Sequence, residues 1–258
     1  MIPGDSDKLL FYFQGGGACW DLVSSKAGLC TADSSPQSPV GVFSRTDDRN
    51  KFKDFTIVHV LYCSGDVWGG NVTQSFNDNA GQPVQQHGLA NAQAALDWAK
   101  EQQVAGRLSS SLSELVIMGC SAGSVGAQLW AKQVLGALAF KAAAVIPDSY
   151  AGVFPPGSEG PLIYGYGFCS SGFLSEALLA KCLAQQLSLQ DIMMEMIPAF
   201  PSIPFAYIQS KTDIVQQSFY VAIGVTTQSS SKLIDPTLFY QDVNDIFGLY
   251  NALPNFVT

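Results

Sequence analysis

A five-residue run, Gly119-Cys120-Ser121-Ala122-Gly123, constrains this chain more than any other feature. It follows an apolar, strand-like segment, Leu115-Val116-Ile117-Met118, and precedes a helix-like stretch from Val125 to Leu135. Glycines at both flanks admit a turn too tight for side chains. The serine between them is then pushed up on a sharp corner with its hydroxyl exposed. The helix that follows directs its first N–H groups at that hydroxyl, where anionic charge would develop during attack on a carbonyl. This is the geometry of a nucleophile elbow.

A second glycine-rich exit lies near the start. Leu9-Leu10-Phe11-Tyr12-Phe13 reads as a buried strand running into Gln14-Gly15-Gly16-Gly17-Ala18-Cys19-Trp20. In α/β-hydrolases the oxyanion hole joins the N–H after the nucleophile to an N–H from a glycine-rich loop after the third strand. Ala122 would supply the first, and Gly16 and Gly17 the second. The plain alternative is a flexible strand exit. A Walker-type phosphate loop is excluded, because no Gly-Lys-Ser/Thr follows, and no Gly-x-Gly-x-x-Gly opens a helix here.

The acid of a triad is expected on a later strand. Pro204 to Ser210 is a strand candidate ending in Lys211-Thr212-Asp213, which places Asp213 where the acid belongs in the order Ser, Asp, His. An aspartate capping a helix from Ile214 to Ala222 is the ordinary alternative. The base is the difficulty. The chain has two histidines, His59 and His87; both precede Ser121, and none follows Asp213. His59 lies within the apolar Phe55 to Tyr62 run and reads as a core residue. His87 opens a helix over Gly88 to Gln103, as its cap or as a neighbour of the site. Only eight residues precede Leu9, and Asn255 to Thr258 looks like the opening of one more strand. The expectation is a fragment trimmed at both ends, lacking the first strands, the last strand and the histidine loop. A complete homologue without activity is the competing account.

Gln14-Gly-Gly-Gly-Ala-Cys-Trp20, Tyr62-Cys-Ser-Gly-Asp-Val-Trp-Gly-Gly70, Asn91 to Trp98, Gly119 to Ser124 and the Asp213 segment together resemble the pectin acetylesterase/Notum family of carboxylesterases. The resemblance covers nearly the whole chain in collinear order. It implies a serine carboxylesterase of the α/β-hydrolase superfamily, acting in plants on acetylated pectin and in animals on a protein-bound fatty acyl ester. Carried over by position, Ser121 is the nucleophile, Asp213 the acid, and Gly16, Gly17 and Ala122 the oxyanion donors. The family's histidine has no counterpart here. Trp20 and Asp66, on the matching motifs, and Asp148, after Ala144-Val145-Ile146-Pro147, are candidates for lining the site. Asp148 is equally an ordinary strand-end aspartate.

Composition narrows the setting. Charged residues make up 13% of the 258, against about 25% in an average domain, which favours a stabilised extracellular chain. Net charge is −8 with no basic cluster, so nucleic acid is not the expected partner. An acylated carbohydrate or another acyl ester is, with the chain acting as a monomer. No apolar run approaches the ~20 residues of a membrane span. Cys19 with Cys30, and Cys169 with Cys182, bracket short loops and read as local disulfides of a secreted protein. The strands carrying Cys63 and Cys120 should flank the third strand on opposite sides. Two strand spacings, ~9.6 Å, are too far for a disulfide, so both are expected free and buried. Asn71-Val72-Thr73 is a glycosylation sequon. No Cys-x-x-Cys pair exists, so no metal is expected, and nothing calls for a cofactor. A thiol enzyme using Cys120 is a rival, weakened because Cys120 precedes the apex and should point into the sheet.

Strands expected near 9–13, 55–62, 115–118, 141–146 and 204–209 alternate with helices, which argues for a mostly parallel sheet covered by helices on both faces. The helix over Gly88 to Gln103 carries Leu89, Ala92, Leu96, Ala99 and Gln103 along one side. Residues 1–258 are expected to form a single α/β-hydrolase domain. The Pro-, Gly- and Ser-rich 150–200 segment is expected to be a cap of loops and short helices, where Phe154, Tyr164, Tyr166, Phe168 and Phe173 line an acyl pocket or pack on one another.

Overall fold

The computed structural model describes residues 1–30, 32–230 and 233–258. Six strands, β1 (Asp5–Phe13), β2 (Phe55–Val60), β5 (Leu112–Cys120), β6 (Phe140–Asp148), β7 (Phe205–Ala206) and β8 (Phe256–Val257), form one sheet in the order β2-β1-β5-β6-β7-β8. Every pairing in it is parallel. Among the described residues eight α-helices accompany it: α1 (Leu22–Lys26), α2 (Gly88–Val104), α3 (Ala122–Ala137), α4 (Glu159–Gly165), α5 (Glu176–Leu183), α6 (Leu189–Ala199), α7 (Ile214–Thr226) and α8 (Pro236–Tyr250). The α/β-hydrolase-like parallel sheet expected from the alternation of strands and helices is present.

Register positions the chemistry. Phe13 pairs with Gly119, and Cys120 with Asp148. The carboxyl ends of β1, β5 and β6 therefore stand side by side, and the loops leaving them meet at one edge, where ligands of open parallel sheets collect. The strands are apolar on both sides, as burial in a parallel sheet requires: Leu9, Leu10, Phe11, Leu115 and Ile117 have no exposed surface.

The two faces are covered unequally. On one, α2, α3, α5, α6 and α8 contribute to a large cluster around Phe11, Phe13, Trp68 and Trp130. On the other, a smaller cluster of Leu10, Tyr12, Ile57, Val116 and Met118 is roofed by Val42, Phe43 and Phe52, and among the described residues no α-helix joins it. On α2, Leu89, Ala92, Leu96 and Ala99 are buried as their spacing predicts; burying Leu96 alone is worth about 2 kcal/mol. The stripe closes on buried Gln102, while Gln103 reaches across to the Ser109 and Ala139 carbonyls.

Two elements were not expected. One is a two-stranded antiparallel hairpin, β3 (Val72–Asn77) with β4 (Pro83–Gln86). The other is α1, whose N-cap Asp21 exchanges a capping box with Ser24. The strand expected over 204–209 is only two residues long, because beyond Ala206 the chain makes isolated contacts such as Asp148 with Ile208.

Candidate active site

The elbow is sterically locked. A Cβ on Gly119 would strike the Gly123 carbonyl, and one on Gly123 would strike the Phe13 carbonyl. Between them Ser121 holds φ 59° and ψ −124°, a region L-residues avoid. The corner is pinned by the Ser121 N–H donating to the Asp148 carbonyl at 3.0 Å. Among the described residues, the Ser121 hydroxyl has no hydrogen-bond partner, and Ala122, at the first position of α3, has no acceptor for its N–H.

The glycine-rich loop is fixed just as closely. Gly15 faces the elbow: a Cβ there would meet the Cys120 carbonyl and come within 3.1 Å of Ser121 Cβ. Gly17 has φ 76°, and a Cβ would collide with the Leu29 carbonyl. Its own carbonyl accepts from Tyr62 Oη at 3.0 Å, and Ala18 N–H donates to Leu29 at 2.9 Å. The Gly16 and Gly17 N–H groups find no acceptor among the described residues. Gln14 anchors the loop's start, its Oε1 accepting from Tyr62 N–H and Ser34 Oγ. The Cys19–Cys30 disulfide closes the loop with Cα atoms 5.5 Å apart, and Cys169–Cys182 also forms.

The Tyr62 to Gly70 motif is a scaffold for the same wall. Asp66 has no exposed surface, and its carboxylate accepts from Ser64 Oγ at 2.6 Å, Trp68 N–H at 3.1 Å and Gly88 N–H at 2.6 Å. Burial raises its pKa and these bonds oppose the rise. Glycine is required at 70 and 88 because a Cβ at either would run into this carboxylate. Asp66 thereby ties the loop to the start of α2 and holds Val67 and Trp68 at φ 50° and 70°.

One cavity of about 290 Å³ gathers these pieces; its wall includes Gly17, Trp20, Asp66, Cys120, Ser121, Ala122, Ser149 and Asp213. Trp20 Nε1 donates to Thr226 Oγ1 at 2.7 Å, joining the glycine loop to α7. Gly16 and Asp148 are not among the lining residues. Asp148 accepts from Ser149 Oγ at 2.6 Å and serves the elbow through its backbone. Apart from Gln216 the remaining wall is mostly apolar and includes Phe154, Tyr166 and Phe168. Tyr164 is 46% exposed instead, and Phe173 packs on Trp130 and Phe168 behind the wall.

Asp213 caps α7: Oδ1 accepts from the Val215 and Gln216 N–H groups, both at 3.0 Å. Capping the helix is therefore compatible with a place in the wall of the cavity that Ser121 also lines. Neither histidine lines the cavity. His59 sits on β2 against Tyr12 and Phe43, and burial pushes its pKa down to about 4. His87 is the N-cap residue of α2 without a side-chain capping bond; its ring lies near Thr73 and Gln85.

The structure corrects the cysteine expectations. Cys63 and Cys120 are both free, but Cys63 is exposed, because it follows β2 in a turn rather than lying in the sheet. Cys120 does not point away from the site. It is half-buried at the strand's end and lines the cavity, its pKa raised by burial and by Asp148. Sequence reasoning also missed Gln216, Ser149 and Phe219 as wall residues; polar or aromatic residues after an aspartate carry no distinguishing signal.

The sequence model of the pectinacetylesterase family matches residues 4–236. Two solved structures of the Wnt deacylase Notum from Drosophila share the fold. One superposes at a TM-score of 0.61 with 15% identity, over 99% of this chain and 76% of that one. A second crystal form gives 0.58 with 17% identity, over 98% and 74%. No curated protein matches the sequence at a significant level.

Proposed function

Because the chain belongs to the pectinacetylesterase family, we propose that it is a serine carboxylic ester hydrolase cleaving O-acyl esters, with Ser121 as nucleophile and Asp213 as the acid of a triad. The carrying observation is that one cavity is lined by Ser121, Ala122, Gly17 and Asp213, drawn from distant parts of the chain. A base removes the Ser121 proton as the oxygen attacks the ester carbonyl. The N–H groups of Gly16, Gly17 and Ala122 receive the oxyanion, the alcohol leaves, and water releases the acid. The family description supports an acetyl substrate, and the apolar cavity also has room for a longer acyl chain. We take residues 1–258 as one domain acting as a monomer, with 150–200 as its cap. An extracellular setting is supported by the two disulfides. Among the described residues no helix is long and apolar enough to cross a membrane.

A second reading, a hydrolase-like binding protein without turnover, is favoured by one observation: neither histidine reaches the cavity. The test is a serine-directed fluorophosphonate with mass-spectrometric mapping, alongside ester turnover. Esterase chemistry predicts label on Ser121 and its loss, with turnover, in Ser121→Ala; turnover retained in that variant would remove Ser121 from the mechanism.

A further inference from the structure

We infer that Asn71 carries an N-linked glycan whose first sugar lies against the cap, beside the wall of the cavity. This rests on the extracellular setting proposed above and is independent of the role of Ser121. Asn71-Val72-Thr73 is the one Asn-x-Ser/Thr triplet in the chain, and the residue between is not proline. The structure presents it well. Along β3 half-buried Val72, Gln74 and Phe76 alternate with exposed Thr73, Ser75 and Asn77, and exposed Asn71 precedes them in the same alternation. Asn71 and Thr73 therefore share the outward face of the hairpin. Thr73 Oγ1 donates to Gln85 Oε1 at 2.9 Å, and the His87 ring lies beside both. No Lys, Arg, Asp or Glu stands among Asn71, Thr73, Ser75, Asn77 and Gln85, so this outward row is polar and uncharged. A bulky hydrophilic sugar extends such a surface and buries no charge.

The anchor is rigid and adjoins the cavity wall. Asn71 N–H donates to the Tyr166 carbonyl at 2.8 Å, and Leu89 N–H donates to the Gly70 carbonyl at 3.0 Å. Gln74 Nε2 reaches the Gly165 carbonyl at 3.1 Å, so the hairpin is stitched to the end of α4. Asn71 Nδ2 donates to Ser170 Oγ at 3.4 Å. A side-chain amide has two N–H donors. One can keep the Ser170 bond while the sugar replaces the other hydrogen. The first sugar then lies along the 167–171 turn, which carries Phe168 of the cavity wall and Cys169 of a disulfide. The donor is a lipid-diphosphate-linked oligosaccharide of the secretory pathway. Asn71 Nδ2 bonds to C1 of its first sugar as the C1–O bond breaks. That bond's electron pair stays on the departing lipid diphosphate, and one amide proton is released to solvent.

The test is made on protein secreted by a eukaryotic cell behind a foreign leader. It is treated with peptide N-glycosidase in heavy-oxygen water, and its peptides are mapped by mass spectrometry. The enzyme cuts the sugar from the nitrogen and leaves an aspartate there, marked by one heavy oxygen. The expected result is that mark at Asn71, with a gel shift on treatment. The shift is lost in Asn71→Gln and in Thr73→Ala and kept in Thr73→Ser, which preserves the hydroxyl. Amide hydrogen exchange over 165–171 should be slower in the glycosylated protein than after removal of the sugar. Secreted protein with both disulfides formed and Asn71 unmodified overturns the site while leaving the extracellular reading intact. Secreted protein whose six cysteines all react with an alkylating reagent, and whose Asn71 is unmodified, removes both. A glycan on Asn71 that leaves exchange over 165–171 unchanged overturns its placement against the cap.

Discussion

Replacing Ser121 by glycine should stabilise the protein while abolishing its chemistry. Ser121 is held at φ 59° and ψ −124°, and a non-glycine residue in such a region costs about 1–3 kcal/mol. Glycine adopts this conformation without that penalty but gives back about 0.5–1 kcal/mol through the freedom of the unfolded chain. Among the described residues, no hydrogen bond to the Ser121 hydroxyl is lost. The net gain is therefore about 0–2.5 kcal/mol, centred near 1. With an unfolding entropy near 2.1 cal/mol/K per residue, a chain of 258 residues gains ~2 °C in melting temperature per kcal/mol, or up to about 5 °C. The proper reference is Ser121→Ala, which removes the hydroxyl and keeps the strain. Differential scanning calorimetry with both disulfides intact should rank Ser121→Gly above Ser121→Ala, which should melt with the native protein. If the glycine variant melts at or below the alanine variant, the corner is not a strained position and the elbow assignment loses its physical basis.

The Cys19–Cys30 bridge closes a loop whose ends are 11 residues apart. Removing it with paired serines should cost ~3 kcal/mol and reduce turnover beyond what the lost stability explains, because Gly17 and Trp20 lie in or beside the loop. Equal activity at a temperature where both proteins are folded would refute that. Glu159 donates nothing and accepts only the Leu189 N–H at 2.7 Å, and burial pushes its pKa up from 4.5 to about 8. The folded state keeps a proton that the unfolded chain releases, so this contribution is complete below pH 4.5 and is lost as pH rises through about 8. The melting temperature of the native protein relative to Glu159→Gln should fall across that window; a constant difference would show a normal carboxylate. A disulfide-exchange reagent such as DTNB should modify exposed Cys63 quickly and half-buried Cys120 slowly, since burial and Asp148 disfavour its thiolate. Two equal rates would contradict the placement of these thiols.

Much of the fold was legible because its signals are local. Leu9 to Phe13, Phe55 to Val60 and Leu115 to Met118 are apolar enough to read as strands buried on both faces, and α2 (Gly88–Val104) forms where the helix over Gly88 to Gln103 is expected. The hairpin of β3 and β4 escaped notice because Val72 to Asn77 alternates half-buried with exposed residues and carries mostly polar side chains. The weak β7 was overestimated for the opposite reason. Phe205 to Ile208 has strand-like residues, but only Phe205 pairs with β6 and only Phe205 and Ala206 pair with β8.

The site divides along the same line. A strained corner must be written into the sequence beside it, since only glycine fits at 119 and 123, and the same holds for Gly17 against Leu29. Asp66 shows where such reading fails. It sits in a motif, in a cavity wall, and its pKa is raised, yet its three hydrogen bonds to Ser64, Trp68 and Gly88 leave the carboxylate a structural task. Gln216 is the converse. Nothing in Ile214-Val215-Gln216-Gln217 separates the buried amide from its half-buried neighbour. The distinction arises from the turn that brings Gln209 and Asp213 to the same nitrogen. A residue whose meaning depends on two partners from a loop and a helix cap acquires it only on folding. The polar groups that fix an orientation are therefore the part of a site that motifs do not announce.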